Sequence, residues 1–414
     1  MLNKKLNSVN PSMNTFSAII ATSVLAWGGL AFSLGFALSF SSDVLAQNQS
    51  SVLVKSAPVK PVAKPPVSAS EQKLETVNLT GMRKDKKIVV RLSHVTDEDS
   101  VKQKASLKFK QVLEAKFPGR VVVDIYPNNT LFRDREEMEA LQLGIVEIIV
   151  PSISKLATIG ATEFEVFDLP FLFPSEEKLH EVQDGEIGKN LGKGLEKRGI
   201  KLLSFWDNGF KSFSSKKPIN TIADFSGQRF RIQTKSAILI AQMEVLGVKP
   251  IPMAFADVAQ GFRDNLIEGT ENPLPNLLFQ DMYKEQKNLL LTEHGYLGYA
   301  VLINNIFWSR LPEDIKSGFE ESIREATIFE RNYSKTDDAL ALETMKKNGL
   351  NIIKPDAKQL SEFKTSMVSV HENFMKTPNR DVLVSIYKVV NPELVKNMEA
   401  QAAAAALKLE SAKK

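Results

Sequence analysis

An arginine set between apolar neighbours is the first feature of this sequence that could do chemistry. In Phe230-Arg231-Ile232-Gln233 the flanking residues suit a short strand. An arginine there can aim its guanidinium into a cleft, where the planar fork matches a carboxylate through two parallel hydrogen bonds. The pattern alone equally suits, and by itself favours, an arginine on a half-exposed strand face. Three further segments place polar groups among apolar ones. In Glu268-Gly269-Thr270-Glu271-Asn272-Pro273, glycine and proline fix the backbone, and Asn272 offers an amide donor and a carbonyl acceptor. The alternative is a surface turn. Trp206-Asp207-Asn208-Gly209-Phe210-Lys211 reads as a strand end running into a glycine turn, and Lys211 in such a loop is ordinarily solvated. Phe255, in Pro252-Met253-Ala254-Phe255, is more often core than ligand-facing on general grounds.

The motifs of the common enzyme classes do not occur. There is no Walker loop, no G-x-S-x-G elbow and no H-E-x-x-H. His94, His180, His294 and His371 lie far apart without metal-ligand spacing, and for His180 and His371 a structural role is the better reading. Carboxylates are plentiful, but context singles out no pair. The chain has no cysteine, which excludes disulfides, thiolate catalysis, zinc–thiolate sites and a bacterial lipoprotein anchor. A formal net charge of +4, with lysines spread along the chain and no aromatic-interleaved basic run, gives no support for nucleic acid binding. Neither catalysis nor a cofactor nor a metal is expected.

The elements that must position these residues follow from hydrophobic periodicity. With 414 residues, 43% hydrophobic and 25% charged, the chain suits two lobes rather than one. Folded patterning starts at Ile88. Ile88 to Leu92 reads as a strand, and Thr96 to Asp99 caps a helix whose buried stripe is Ala105, Phe109, Val112 and Leu113. Val121 to Tyr126 reads as a strand, Asp134 to Leu143 as a helix ended by Gly144, and Ile145 to Val150 as a third strand. Further on come a strand over Lys201 to Trp206, a short strand at Phe230 to Ile232, and a helix from Ala237 to Leu246. Alternation at this pitch predicts an α/β protein with a mostly parallel sheet and helices on its faces. A long helical pattern starts at Pro312, a good first-turn residue, and reaches Lys347. At roughly 1.5 Å per residue it would be about 50 Å long, enough to run along both lobes.

The ends read differently. Lys4 and Lys5 precede an uncharged apolar run from Phe16 to Phe40, and Val44-Leu45-Ala46 supplies small residues at a cleavage site before Gln47. This is the layout of a secretory signal peptide over residues 1–46. The alternative is an uncleaved membrane anchor, for which the run is long enough. Residues 47–85, rich in proline and lysine, read as a linker. After Pro392 the pattern dissolves into an Ala/Lys-rich tail, residues 396–414.

Taken together, the segments resemble the extracytoplasmic solute receptors of the tripartite ATP-independent periplasmic (TRAP) transporters, and most closely their C4-dicarboxylate branch. The resemblance rests on Arg91 to Thr96, Asp134-Arg135-Glu136-Glu137, Ala140 to Gly144, Phe164 to Phe173 (FEVFDLPFLF), Trp206 to Lys211 (WDNGFK), Met253-Ala254-Phe255, Gly269 to Pro273 (GTENP) and His294 to Tyr299 (HGYLGY). These occur in family order over about residues 86–395. The resemblance implies a two-lobed periplasmic-binding-protein fold with discontinuous lobes, hinge strands and a long bracing helix. Lobe I would be residues 86–207 plus 298–337, and lobe II residues 208–297 plus 338–395. It further implies a carboxylate-gripping role for Arg231, ligand contact for Asn272, a cleft aromatic at Phe255 and a second basic position at Lys211. A ligand-contacting position falls near Ser152, and His94 or Val95 sits in the loop after the first strand. Thr234-Lys235-Ser236 departs from the branch, with one residue more before Ala241-Gln242-Met243. The implied function is capture of a small organic acid, best a C4-dicarboxylate, in the periplasm and its delivery to the membrane subunits of a TRAP transporter. The same fold holding a keto acid, sugar acid or aromatic acid, or serving as a membrane-tethered sensor, is the alternative.

Overall fold

The computed structural model describes residues 87–401. The signal-peptide, linker and most of the tail assignments lie outside the described residues; residues 392–401 are helical. One mixed sheet organises the chain. Its strands are β1 (Ile88–Ser93), β2 (Val121–Tyr126), β3 (Ile148–Ile149), β4 (Ile200–Ser215), β5 (Arg229–Ile232), β6 (Lys249–Pro252), β7 (Gly269–Asn272), β8 (Asn288–Asn304) and β9 (Asn351–Ile353). The order across the sheet is β2-β1-β3-β8-β4-β7-β5-β6, with β9 on β8.

The two long strands explain the shape of the protein. β4 and β8 pair antiparallel along nearly their whole lengths. The ends at Ile200 and Asn304 belong to lobe I, beside β1 to β3, and the ends at Ser215 and Asn288 belong to lobe II, beside β5 to β7. The WDNGFK segment is therefore not a turn. It is the middle of β4, where the register shifts between Asp207 and Gly209. Gly209 adopts a φ of +127°, which side-chain-bearing residues rarely adopt. Pairing to β8 before and after the bulge carries the strand through a glycine that local sequence reads as a stop. The GTENP segment likewise lies in a fully buried strand, β7, instead of a surface turn.

Elsewhere the main periodicities hold, although the strand expected over Ile145 to Val150 pairs only at Ile148–Ile149 and the helix expected over Asp134 to Leu143 is helical only over Glu137–Gln142. Val101–Lys116 is a helix N-capped by the Ser100 side chain, with Ala105, Phe109 and Leu113 buried and Val112 only half-buried. In lobe I, Val90, Leu92 and Val123 from the parallel strands pack with Phe109 and with Phe319 and Ile323 of the long helix. In lobe II, Phe213, Phe225 and Phe230 pack edge-on among Leu239 and Met243. The long helix, Glu313–Lys347, has 35 residues, about 52 Å at 1.5 Å per residue. It packs against Val101–Lys116 and against Leu274–Phe279, so the brace touches both lobes.

Candidate functional site

β5 enters the site with its buried arginine. Arg231 is 4% exposed and its Nε donates to the backbone carbonyl of Met253 at 3.0 Å. The guanidinium lies over the Phe255 ring, 5.8 Å from its centroid. That leaves the fork facing a cavity between the lobes lined by Arg231, Asn272, Phe255, Ser152, Lys102 and Tyr299, among others. A wider vestibule adjoins it, and the two share Asp134, Lys155 and Gln233. Burial lowers the Arg231 pKa to about 10, with Asp134 and Glu271 opposing. Among the described residues no carboxylate forms an ion pair with it.

β7 brings Asn272 in, fully buried. Its amide donates to Thr270 Oγ1 at 3.2 Å, while Asn276 donates to its carbonyl oxygen at 3.4 Å. From lobe I, Ser152 follows β3 and bridges to Tyr299 of β8. Its hydroxyl is buried without a hydrogen-bond partner among the described residues, as a group awaiting a ligand would be. Four of the six residues singled out by the sequence therefore meet in one cavity.

The other two do not. Lys211 is 1% exposed and does not line the cavity; it donates to Glu271 Oε1 at 2.8 Å. Glu271 Oε2 also meets His294 Nε2 at 2.9 Å and accepts from the Gln242 amide at 2.5 Å. Burial opposes ionisation of Glu271, yet Lys211 and the His294 hydrogen bond outweigh it and hold the carboxyl well below the usual range. Lys211 is thus an internal counter-ion, neither a solvated loop lysine nor, in this structure, a cleft cation. His94 sits one shell behind the cavity wall. Its Nε2 meets Gln103 Oε1 at 2.8 Å and its Nδ1 meets Thr96 Oγ1 at 3.2 Å. Burial, reinforced by Lys102, lowers its pKa to about 3, so it is a neutral brace for the loop that carries Val95 and Thr96.

The sequence reading missed three charged lining residues. Lys155, on a short 3₁₀ turn, forms ion pairs with Asp134 and Glu137, and Asp134 Oδ2 also accepts from Phe255 N at 3.3 Å. Lys102 lies at the start of the helix Val101–Lys116, 1% exposed, with its ammonium 3.6 Å from the centre of the Tyr299 ring. The signal was present: Lys102 stands three residues before Ala105 and seven before Phe109, in register with the buried stripe. A lysine in that stripe is held where a charge is costly. The lining thus carries Lys102, Lys155 and Arg231 against one carboxylate, Asp134.

A cation-rich cavity between two lobes joined by continuous strands suits a small anion, and the class is that of the bacterial extracellular solute-binding proteins. Residues 92–377 match the model of bacterial extracellular solute-binding protein family 7, and the chain belongs to that family. It is 44% identical over 262 residues to the C4-dicarboxylate-binding periplasmic protein DctP of Rhodobacter capsulatus, covering 63% of this chain and 78% of that one. The C4-dicarboxylate-binding protein DctB of Bacillus subtilis is 32% identical over 298 residues, covering 72% and 85%. Among solved structures, a TRAP periplasmic solute binding protein of Sulfurospirillum deleyianum with bound succinate superposes with a TM-score of 0.70 at 34% identity, covering 73% of this chain and 99% of that one. The chain is a solute-binding receptor of the TRAP type.

Proposed function

We propose that this receptor captures a C4-dicarboxylate in the cavity between its lobes and presents it to the membrane subunits of a TRAP transporter. One observation carries the reading: Arg231 is buried, its fork faces the cavity, and no described carboxylate pairs with it, in a lining where cations outnumber carboxylates. A buried charge is costly unless paired, and an anionic ligand supplies the pair. Arg231 grips one carboxylate, Asn272 and Ser152 add hydrogen bonds, and Phe255 walls the site. The relatives named for C4-dicarboxylates and the succinate-bound neighbour support this choice. A solved neighbour of Advenella mimigardefordensis holds galactonate at 25% identity, so a sugar acid is the comparison ligand.

The lobes rotate, on this reading, about the β4 bulge at Asp207–Gly209 opposite Gly298. Residues 1–46 direct export, with a mature chain starting near Gln47, and the receptor works in the periplasm. Isothermal calorimetry of the purified receptor with succinate, malate, fumarate and galactonate tests the proposal. Micromolar or tighter binding of a C4-dicarboxylate is expected; tight binding of galactonate alone would overturn it. Mass spectrometry of the native chain tests export, and retention of Phe16–Phe40 would refute cleavage.

A further inference from the structure

Arg231 reaches the cavity from lobe II, and one carboxylate satisfies one fork. The opposite wall holds a second cation that neither the ion-pair network nor solvent accounts for. Lys102 is 1% exposed and lines the cavity from lobe I. Asp134 and Glu137 both pair with Lys155; the second Glu137 oxygen has no hydrogen-bond partner among the described residues and favours the charged lysine without reaching ion-pair distance. No described carboxylate pairs with Lys102, whose ammonium rests on the Tyr299 face. A cation–π contact offsets only part of what burying an ion costs. The lysine is therefore held in a costly place without a direct ion pair among the described residues.

We propose that Lys102 is the specificity-determining residue for doubly charged ligands: its ammonium takes the carboxylate distal to Arg231, so that a dicarboxylate ties the two lobes together and a mono-acid of the same length does not. This rests on the dicarboxylate reading above and adds the residue that enforces it. Ligand-free, Lys102 has its pKa lowered to about 7, first by burial, with Glu137 and Asp134 opposing and Lys155 reinforcing. His94, behind the loop that carries Val95 and Thr96, stays neutral above about pH 3. The Tyr299 hydroxyl is pushed up by burial and stays protonated. An arriving carboxylate raises the lysine pKa, so capture above about pH 7 takes up a proton at Nζ. The advantage of a dianion over its monoamide then shrinks as pH rises past the ligand-free value.

The test is calorimetry of the full receptor with succinate and with its monoamide, at pH values from about 6 to about 9, on wild type and Lys102→Met. Near pH 6.5 the wild type is expected to prefer succinate by about 30-fold or more, the range for leaving one buried charge unpaired. Lys102→Met should reduce that preference to a few-fold, with Arg231 untouched. An undiminished preference in a folded Lys102→Met overturns the assignment. If that variant fails to fold, the wild-type pH series decides: the preference must fall between about pH 7 and 9, and a constant preference overturns the assignment equally. Failure of wild type to bind succinate, malate or fumarate would instead remove the dicarboxylate reading itself, and the assignment with it.

Discussion

Replacing Arg231 by methionine should make the ligand-free protein more stable and the receptor useless. The reason is the cost of holding the guanidinium in the cavity. Burial lowers its pKa from 12.5 to about 10, and each unit corresponds to about 1.4 kcal/mol, so the folded state carries roughly 3 kcal/mol of penalty at neutral pH. The sign follows from the direction. A base whose folded pKa is depressed favours the unfolded chain at every pH below that folded value, because the unfolded chain holds its proton more tightly. Methionine keeps the apolar stem but frees the Met253 carbonyl, a loss of about 1 kcal/mol. The net gain is about 2 kcal/mol, a rise of a few degrees in Tm for a domain of this size. In the complex the balance reverses: the ligand carboxylate would be buried without its partner, at a cost of about 3–5 kcal/mol, or at least two orders of magnitude in affinity. Differential scanning calorimetry with and without succinate reads both effects. A variant that melts below wild type and still gains stability from succinate would refute the argument.

Lys211→Met should act in the opposite way, lowering Tm by several degrees because Glu271 loses its counter-ion inside the protein, at about 3–5 kcal/mol. Calorimetry should still show succinate preferred over its monoamide, and loss of that preference would return Lys211 to the cleft. Asp338 packs beside Gly209, and burial, with Asp337 and Glu176 adding repulsion, raises its pKa to about 7. A raised carboxyl pKa gives stability that is full below the unfolded value and lost as pH rises through the folded one. Asp338→Asn should therefore flatten the fall in Tm between about pH 4 and 8, by no more than about 2 kcal/mol given its partial exposure; an unchanged pH profile would count against it. Gln233 donates to Ser154 Oγ at 2.7 Å and Phe255 N to Asp134 across the cleft. Small-angle scattering should accordingly give a smaller radius of gyration at saturating succinate, and less compaction in Gln233→Ala.

Local sequence was sufficient for much of this protein. The period-2 runs at Ile88–Leu92 and Val121–Tyr126, the Ser100-capped helix and the long pattern after Pro312 each appear within a residue or two of their expected place, because hydrophobic spacing and capping act over one or two turns. Motifs in family order located Arg231, Asn272, Phe255 and Ser152, which all line the cavity. Tertiary structure decided the rest. Gly209 looks like a strand terminator until β8 pairs with β4 before and after it and carries the strand through a bulge. Lys211 looks like an available cation until Glu271, 60 residues on, turns out to face it at 2.8 Å. Lys102 looks like one more lysine on an amphipathic helix until the packing of β1, β8 and the loop at Asp134 encloses it. Pairing and desolvation depend on what lies across space. The sequence specifies which side chains carry charge, but only the folded arrangement determines which charges are already satisfied and which remain for a ligand.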